Sequence, residues 1–314
     1  MAIGGAIAFS GKAIIVKLAY RYGVDAVTLI MLRMVFALPF FLVMAWWAGR
    51  GKPPLTRRDW AGVVALGFSG YYLSSMLDFA GLQYISASLE RLILYLGPTL
   101  VLLLNWRVKG QPVSRAQWVA MAVSYAGALL VFGVELRVAP GGATAWGALL
   151  VFMSTFSYSL YLFYSGEFVQ RLGALRLGGW ATAVACAFCI AQFLLLRPLS
   201  AAHVAPQVLW LSVLNATACT AVPVLLVMMA IERIGPVLTA QVGILGPLAT
   251  IVMGIVLLGE PFTPWLVAGT VLYGVFLLFS GATLLQGLLC LWLFNIMIVN
   301  WNGMSYLTAI KDYR

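Results

Sequence analysis

Residues 87–104 read ASLERLILYLGPTLVLLL and set an acid beside a base, Glu90 and Arg91, in an apolar stretch long enough to cross a bilayer. A charged group at membrane depth costs about 2.5–3.5 kcal/mol on insertion scales, so it persists where it faces protein, water or a solute path. Lys12, Lys17, Arg33 and Asp78 lie in neighbouring apolar stretches. Such a set suits a buried ion-pair network, with Lys17 and Arg33 free to snorkel outward, or an anion-binding or proton-exchanging site. Arg91, Tyr95 and Pro98 share one helical stripe at i, i+4 and i+7, while Glu90 leads the adjacent face. That spacing lets both charges point into a helix bundle.

A second candidate wall is uncharged. Ser154, Tyr158, Tyr161 and Ser165 follow i, i+4, i+7 and i+11, with Ser157 and Tyr164 beside them. Such hydroxyls either line a cavity or bridge helices. Gly97-Pro98 and Gly246-Pro247 each fall in the middle of an apolar stretch, where proline removes a backbone hydrogen bond and kinks the helix. These kinks either shape a cavity and act as hinges or only curve helices for packing.

Two further patterns name other chemistry. Gly67-Phe68-Ser69-Gly70 matches the G-x-S-G motif of intramembrane serine hydrolases, which need a general base beside the serine. The only histidine, His203, lies in a polar loop, across half a bilayer from Ser69, so an enzyme is the lesser alternative, with a non-transporting scaffold below it. Cys186-Ala-Phe-Cys189 matches C-x-x-C, but a structural zinc site takes four Cys or His ligands. The pair reads as packing residues, and no metal, cofactor or catalytic residue is expected.

The elements that must position these residues follow from composition. The 314 residues are 63% hydrophobic and 9% charged, with a mean hydropathy of +1.00. A soluble domain carries roughly 25% charged residues, so the chain is an all-α polytopic membrane protein. Apolar runs define ten spans, at about 3–20, 27–48, 60–78, 84–107, 116–134, 146–165, 178–196, 207–230, 237–258 and 264–284. The net charge of +10 sits in short clusters between spans, which is a topology signal and not a nucleic-acid surface. Arg50, Lys52, Arg57, Arg58, Arg107, Lys109, Arg115, Arg171, Arg176 and Arg233 fall in loops on one side; Arg21, Arg137 and Arg197 fall on the other. The positive-inside rule then puts the N-terminus in the cytoplasm. It also places Lys17, Arg33, Asp78, Glu90 and Arg91 in the outer half of the membrane.

The sequence repeats itself. Residues 80–133 lie over 229–280, with Gly97-Pro98 on Gly246-Pro247, Gly110-Gln111-Pro112 on Gly259-Glu260-Pro261, and Trp118 on Trp265 after a two-residue gap. With five spans per unit, the second copy enters from the opposite side, which makes an inverted repeat; many secondary transporters place their site between such halves. The units are residues 1–140 and 141–284. A tail of 285–314 follows, and the continuous apolar run predicts a break near Gly281 or Gly287 with Trp292 and Trp301 at the cytoplasmic interface.

This five-plus-five pattern, the paired Gly-Pro landmarks, Gly259-Glu260-Pro261-Phe262-Thr263 and the Arg33 in Leu32-Arg33-Met34 resemble the EamA-type transporters of the drug/metabolite transporter superfamily over residues 3–284. The resemblance implies two bundles around a central cavity lined by spans 1–4 and 6–9. It also implies a small metabolite or amphipathic compound moved across the cytoplasmic membrane by secondary active transport. The basic residues favour an anionic or zwitterionic substrate, and Glu90 is a candidate for proton coupling. Lys12, Lys17, Arg33, Glu90, Arg91, Tyr95, Tyr158 and Tyr161 are the candidate binding or coupling residues.

Overall fold

The computed structural model describes residues 2–94, 96–115, 142–242 and 253–259, with scattered positions 117–119, 121–122, 125–126, 129, 133 and 250. Among them all regular structure is helical. The helices are α1 (Ala2–Tyr20), α2 (Ala26–Gly49), α3 (Arg57–Leu66), α4 (Ser74–Gly81), α5 (Ala87–Leu94), α6 (Gly97–Lys109), α7 (Gly142–Leu172), α8 (Ala174–Leu196), α9 (Pro206–Ala216) and α10 (Val222–Val242). Six stretches are long and apolar enough to cross a membrane: Ala26–Gly49, Arg57–Gly81, Leu89–Lys109, Gly142–Leu172, Ala174–Leu196 and Pro206–Thr239. The protein is therefore a multi-pass helical membrane protein.

Local sequence explains the helix ends. Thr56 and Asp59 form a reciprocal capping box that starts α3, and the Asp25 side chain accepts from the Thr28 backbone N–H to start α2. α6 stops at Gly110, whose φ of +67° is a left-handed C-cap; Gly259, with a φ of +70°, ends the π-helical turn Gly254–Leu258 in the same way. These two glycines are the ones aligned by the sequence repeat. α7 is longer than its expected span because the helix continues through Glu167, Gln170 and Arg171. The apolar run alone had marked only the membrane-embedded portion.

Breaks interrupt several spans. α3 passes into α4 through a π-helical stretch, Gly67–Leu73, and α9 passes into α10 through another, Thr217–Ala221. Gly235, at φ 78° and ψ 168°, splits α10 just before Pro236, where the sequence placed a boundary between two spans. The fourth expected span is also divided: α5 ends at Leu94 and α6 begins at Gly97. Pro98 thus occupies the first turn of a new helix, where its missing N–H costs nothing. Tyr95, Gly246, Pro247 and the tail lie outside the described residues.

Packing fixes the sense of the bundle. α2 lies against α8 in antiparallel fashion, since Asp25 at the start of α2 pairs with Arg197 just after α8. At the opposite end, Arg176 near the start of α8 donates to the Pro53 carbonyl at 2.7 Å. α1 packs against α10, and α4 against α7. One apolar core gathers Phe41, Leu177, Tyr161 and Met228; a second gathers Leu29, Met34, Phe79 and Phe193.

The two ends of the bundle differ in charge. One carries Arg50, Lys52, Arg57, Arg58, Arg107, Lys109, Arg171 and Arg176, with Arg171 paired to Asp59 and Lys109 3.7 Å from Glu167. The other holds Arg21, Asp25 and Arg197, with Arg21 donating to the Leu258 carbonyl at 3.2 Å.

Candidate functional site

The ionisable groups within the bundle meet where α1, α2, α4 and α5 converge. Lys12 Nζ donates to Asp78 Oδ2 at 2.5 Å and ties α1 to α4. The Asp78 carboxyl lies near that of Glu90, and Glu90 Oε2 lies 2.9 Å from Arg91 Nε. Neighbours on a helix diverge by about 100°. The Arg91 side chain must therefore fold back to reach Glu90, and the pair is close without aligned hydrogen bonds. Phe79 occupies the middle: its ring centre is 5.9 Å from Lys12 Nζ and 4.7 Å from the Arg33 guanidinium. Tyr20 closes the same region by donating to the Phe79 carbonyl at 2.7 Å.

Burial is nearly complete. Glu90 is 0% exposed, Asp78 1%, Arg33 2%, Arg91 5% and Lys12 9%. Arg33 does not snorkel; it stays inside, in a region that also holds Cys186, Cys189 and Cys219. Lys17 is half-buried further along α1. The arrangement brings together Lys12, Arg33, Glu90 and Arg91 from the sequence candidates and adds Asp78 as the direct partner of Lys12. Phe79 escaped sequence reasoning, although it directly follows Asp78.

The hydroxyl stripe of α7 has its own architecture. Ser154 Oγ donates to the Ser74 carbonyl at 2.7 Å, Ser157 Oγ to the Ser69 carbonyl at 2.8 Å, and Ser165 Oγ to the Leu162 carbonyl at 2.9 Å. Tyr161 Oη is 2.6 Å from Tyr71 Oη and 3.3 Å from Met228 Sδ. Tyr158 stacks obliquely on Tyr161 with ring centres 5.5 Å apart. Most of these groups stitch α7 to its neighbours, the bridging role the residue types permit. Tyr71 was missed in the sequence because only the fold sets it opposite Tyr161.

The G-x-S-G segment has a packing explanation. A Cβ on Gly67 would lie 2.4 Å from the Ala181 carbonyl oxygen, and one on Gly70 would lie 2.3 Å from Tyr161 Cγ. Both glycines let helices approach closely. Ser69 sits in the π-helical stretch, whereas His203 follows the short 3-10 turn Leu199–Ala202 in a loop. Cys186 and Cys189 are buried, with Cys186 Sγ 3.6 Å from Met34 Sδ. Among the described residues no group of three His, Cys, Asp or Glu side chains is arranged to hold a metal.

Helices of membrane-crossing length around a buried charge cluster define an integral membrane protein with an interior polar site. The chain belongs to the EamA-like transporter family, which matches it twice, over residues 1–133 and 145–282. It is 28% identical over 274 residues to an uncharacterized transporter, YcbK, of Bacillus subtilis (strain 168), with 82% of this chain and 83% of that protein covered. Its fold is also similar to that of a protein solved by crystallography, with a TM-score of 0.65 at 17% identity over 89% of this chain and 94% of the other.

Proposed function

We propose that the protein is a secondary active transporter that moves a small anionic or zwitterionic metabolite across the cytoplasmic membrane by alternating access between two inverted five-helix repeats. The repeats are residues 1–140 and 141–284, and the N-terminus is cytoplasmic. The division is supported by the two separate family matches and by helix starts that recur in register: α2 at residue 26 and α8 at 174, α3 at 57 and α9 at 206. The π-helical interruptions and the left-handed glycines recur with them. Inversion is supported by the antiparallel packing of α2 on α8. The orientation follows from the excess of Arg and Lys at one end of the bundle.

The observation that carries the reading is the buried cluster of Lys12, Arg33, Asp78, Glu90 and Arg91. Positions 90 and 91 correspond in the second repeat to Thr239 and Ala240, so the fold itself does not demand charge there. In this mechanism Arg91, with Lys12 and Lys17, draws the negative charge of the substrate inward. Glu90 holds Arg91 when the site is empty and exchanges a proton during the cycle. Tyr158 and Tyr161 form the facing wall, Tyr95 continues the Arg91 stripe, and the breaks at Gly97-Pro98 and Gly246-Pro247 act as hinges.

Uptake of a pooled metabolite extract into proteoliposomes identifies the substrate and tests the assignment. Arg91→Gln is expected to fold and lose uptake, and the double variant with Glu90→Gln is expected not to recover it. If each single change lowers folded yield and the double change restores both yield and transport, the pair is structural.

A further inference from the structure

The cations of the cluster differ in what they hold. Lys12 is paired with Asp78, and Arg91 lies against Glu90. Arg33 has no carboxylate within 4.0 Å among the described residues, although it is 2% exposed. Among the described residues its Nε and Nη2 have no hydrogen-bond partner. Those two nitrogens form one edge of the guanidinium, the fork that takes both oxygens of a carboxylate in parallel. A buried charge with an unpaired fork is costly, and it is retained where something of opposite charge completes it.

The surroundings restrict what that partner is. Phe79 covers the guanidinium from 4.7 Å, and Met34, Cys186 and Cys189 are buried in the same apolar core. The thiols are weak acceptors and do not replace a carboxylate. Among the described residues of the cluster, Lys12 and Arg91 each lie against a carboxylate, and Arg33 is the cation left for a ligand to meet. One carboxylate fills that fork, and a second charge of either sign finds Lys12, Asp78, Glu90 and Arg91 already set against one another.

We propose that Arg33 is the seat for the carboxylate of a small organic monoanion, with Phe79 against the apolar body of the ligand. This rests on the transport reading above, whose conformational cycle opens the route to Arg33. It assigns the final seat of the carboxylate to the α2 side of the cluster, past Arg91, which draws the anion inward.

The test uses the full-length protein in nanodiscs with acid and amide pairs of matched shape: acetate and acetamide, benzoate and benzamide, lactate and lactamide. Equilibrium dialysis is expected to show at least tenfold tighter binding of one or more acids than of the matching amide, and weaker binding of succinate and glycine. Arg33→Lys, which keeps the charge and loses the planar fork, is expected to weaken that acid at least tenfold. Cys186→Ser is expected to leave it unchanged. Arg33→Gln is expected to abolish the preference; should it fail to fold, Arg33→Lys decides the matter. No acid-over-amide preference in any pair, a preference for succinate or glycine, or full binding in Arg33→Lys overturns the proposal. Binding without uptake in proteoliposomes leaves the seat in place and removes the transport reading. Uptake that persists unchanged in Arg33→Gln removes the seat alone.

Discussion

Two interhelical joints occupy corresponding places and use opposite chemistry. In the register that lays Gly110 on Gly259, Lys12 corresponds to Tyr161, and Asp78 to Val227, beside Met228. The first joint ties α1 to α4 through an ammonium and a carboxylate. The second ties α7 to α10 through a phenol against a thioether, with Tyr71 completing it. A membrane bundle holds together through either, so the charged version is the one that needs a further reason. Hydroxyl contacts between membrane helices are worth about 0.6 kcal/mol on average. Removing one member of a buried ion pair costs about 3–5 kcal/mol. The first half accepts a larger risk at this place than the second.

The largest expected effect comes from the charged joint. Lys12→Met removes the ammonium partner of the buried Asp78, which is left near Glu90, and is expected to destabilise by about 3–5 kcal/mol. Lys12→Met combined with Asp78→Leu is expected to recover most of that loss. Thermal unfolding of the purified protein in detergent measures both. Equal melting of the single and double variants would show that Lys12 and Asp78 are not coupled, and the contrast between the joints would fail.

Next in size is the glycine that lets the hydroxyl joint close. Gly70→Ala places a methyl 2.3 Å from Tyr161 Cγ. Because that contact is with a packed ring at its branch point, relief requires moving α7 away from the π-helical stretch. Overpacking of this kind costs about 1–3 kcal/mol. Reduced monodisperse yield on size exclusion is the expected result, with Gly70→Ala and Tyr161→Ala together better than Gly70→Ala alone. Tyr161→Phe sharpens the comparison at smaller cost. It removes the 2.6 Å contact with Tyr71, and about 1 kcal/mol of stability is expected to go with it.

How far these features were legible in the sequence depends on whether they are local. Membrane spans, the positive end of the bundle and the Gly110 cap follow from runs of residues: six of the ten expected spans coincide with described stretches long and apolar enough to cross a membrane, the basic clusters gather at one end, and Gly110 caps α6. Glu90 and Arg91 drew attention because charges in an apolar run stand out without any fold. The pairing of Lys12 with Asp78 was not readable, since 66 residues separate them and only packing of α1 on α4 brings them together. The Ser, Tyr stripe of α7 was visible as a stripe, but whether a hydroxyl lines a cavity or bonds a neighbouring carbonyl depends on the facing helix. The π-helical stretches had no sequence signal of their own. G-x-S-G is ambiguous for a physical reason: small residues that permit close helix approach are also the residues that flank an exposed nucleophile.

The smallest expected effect tests the seam that both halves share. α2 and α8 are held at one end by Asp25 and Arg197, outside the membrane-spanning helices. Partial burial raises the Asp25 carboxyl, but bonds from Thr28 and Arg197 outweigh it and hold its pKa below the ordinary value of 3.8. A carboxylate with a depressed folded-state pKa contributes stability that is present above the unfolded value and disappears as the pH falls through the folded one. The contribution is therefore intact at neutral pH and lost only below about pH 4. Half-exposure and salt screening keep it small. Melting of the wild type is expected to fall more than that of Asp25→Asn as the pH drops from 5 to 3, and high salt is expected to shrink the difference. Parallel pH profiles for the two proteins would show that the Asp25 and Arg197 pair does not hold the seam, leaving the buried faces of α2 and α8 to do so alone.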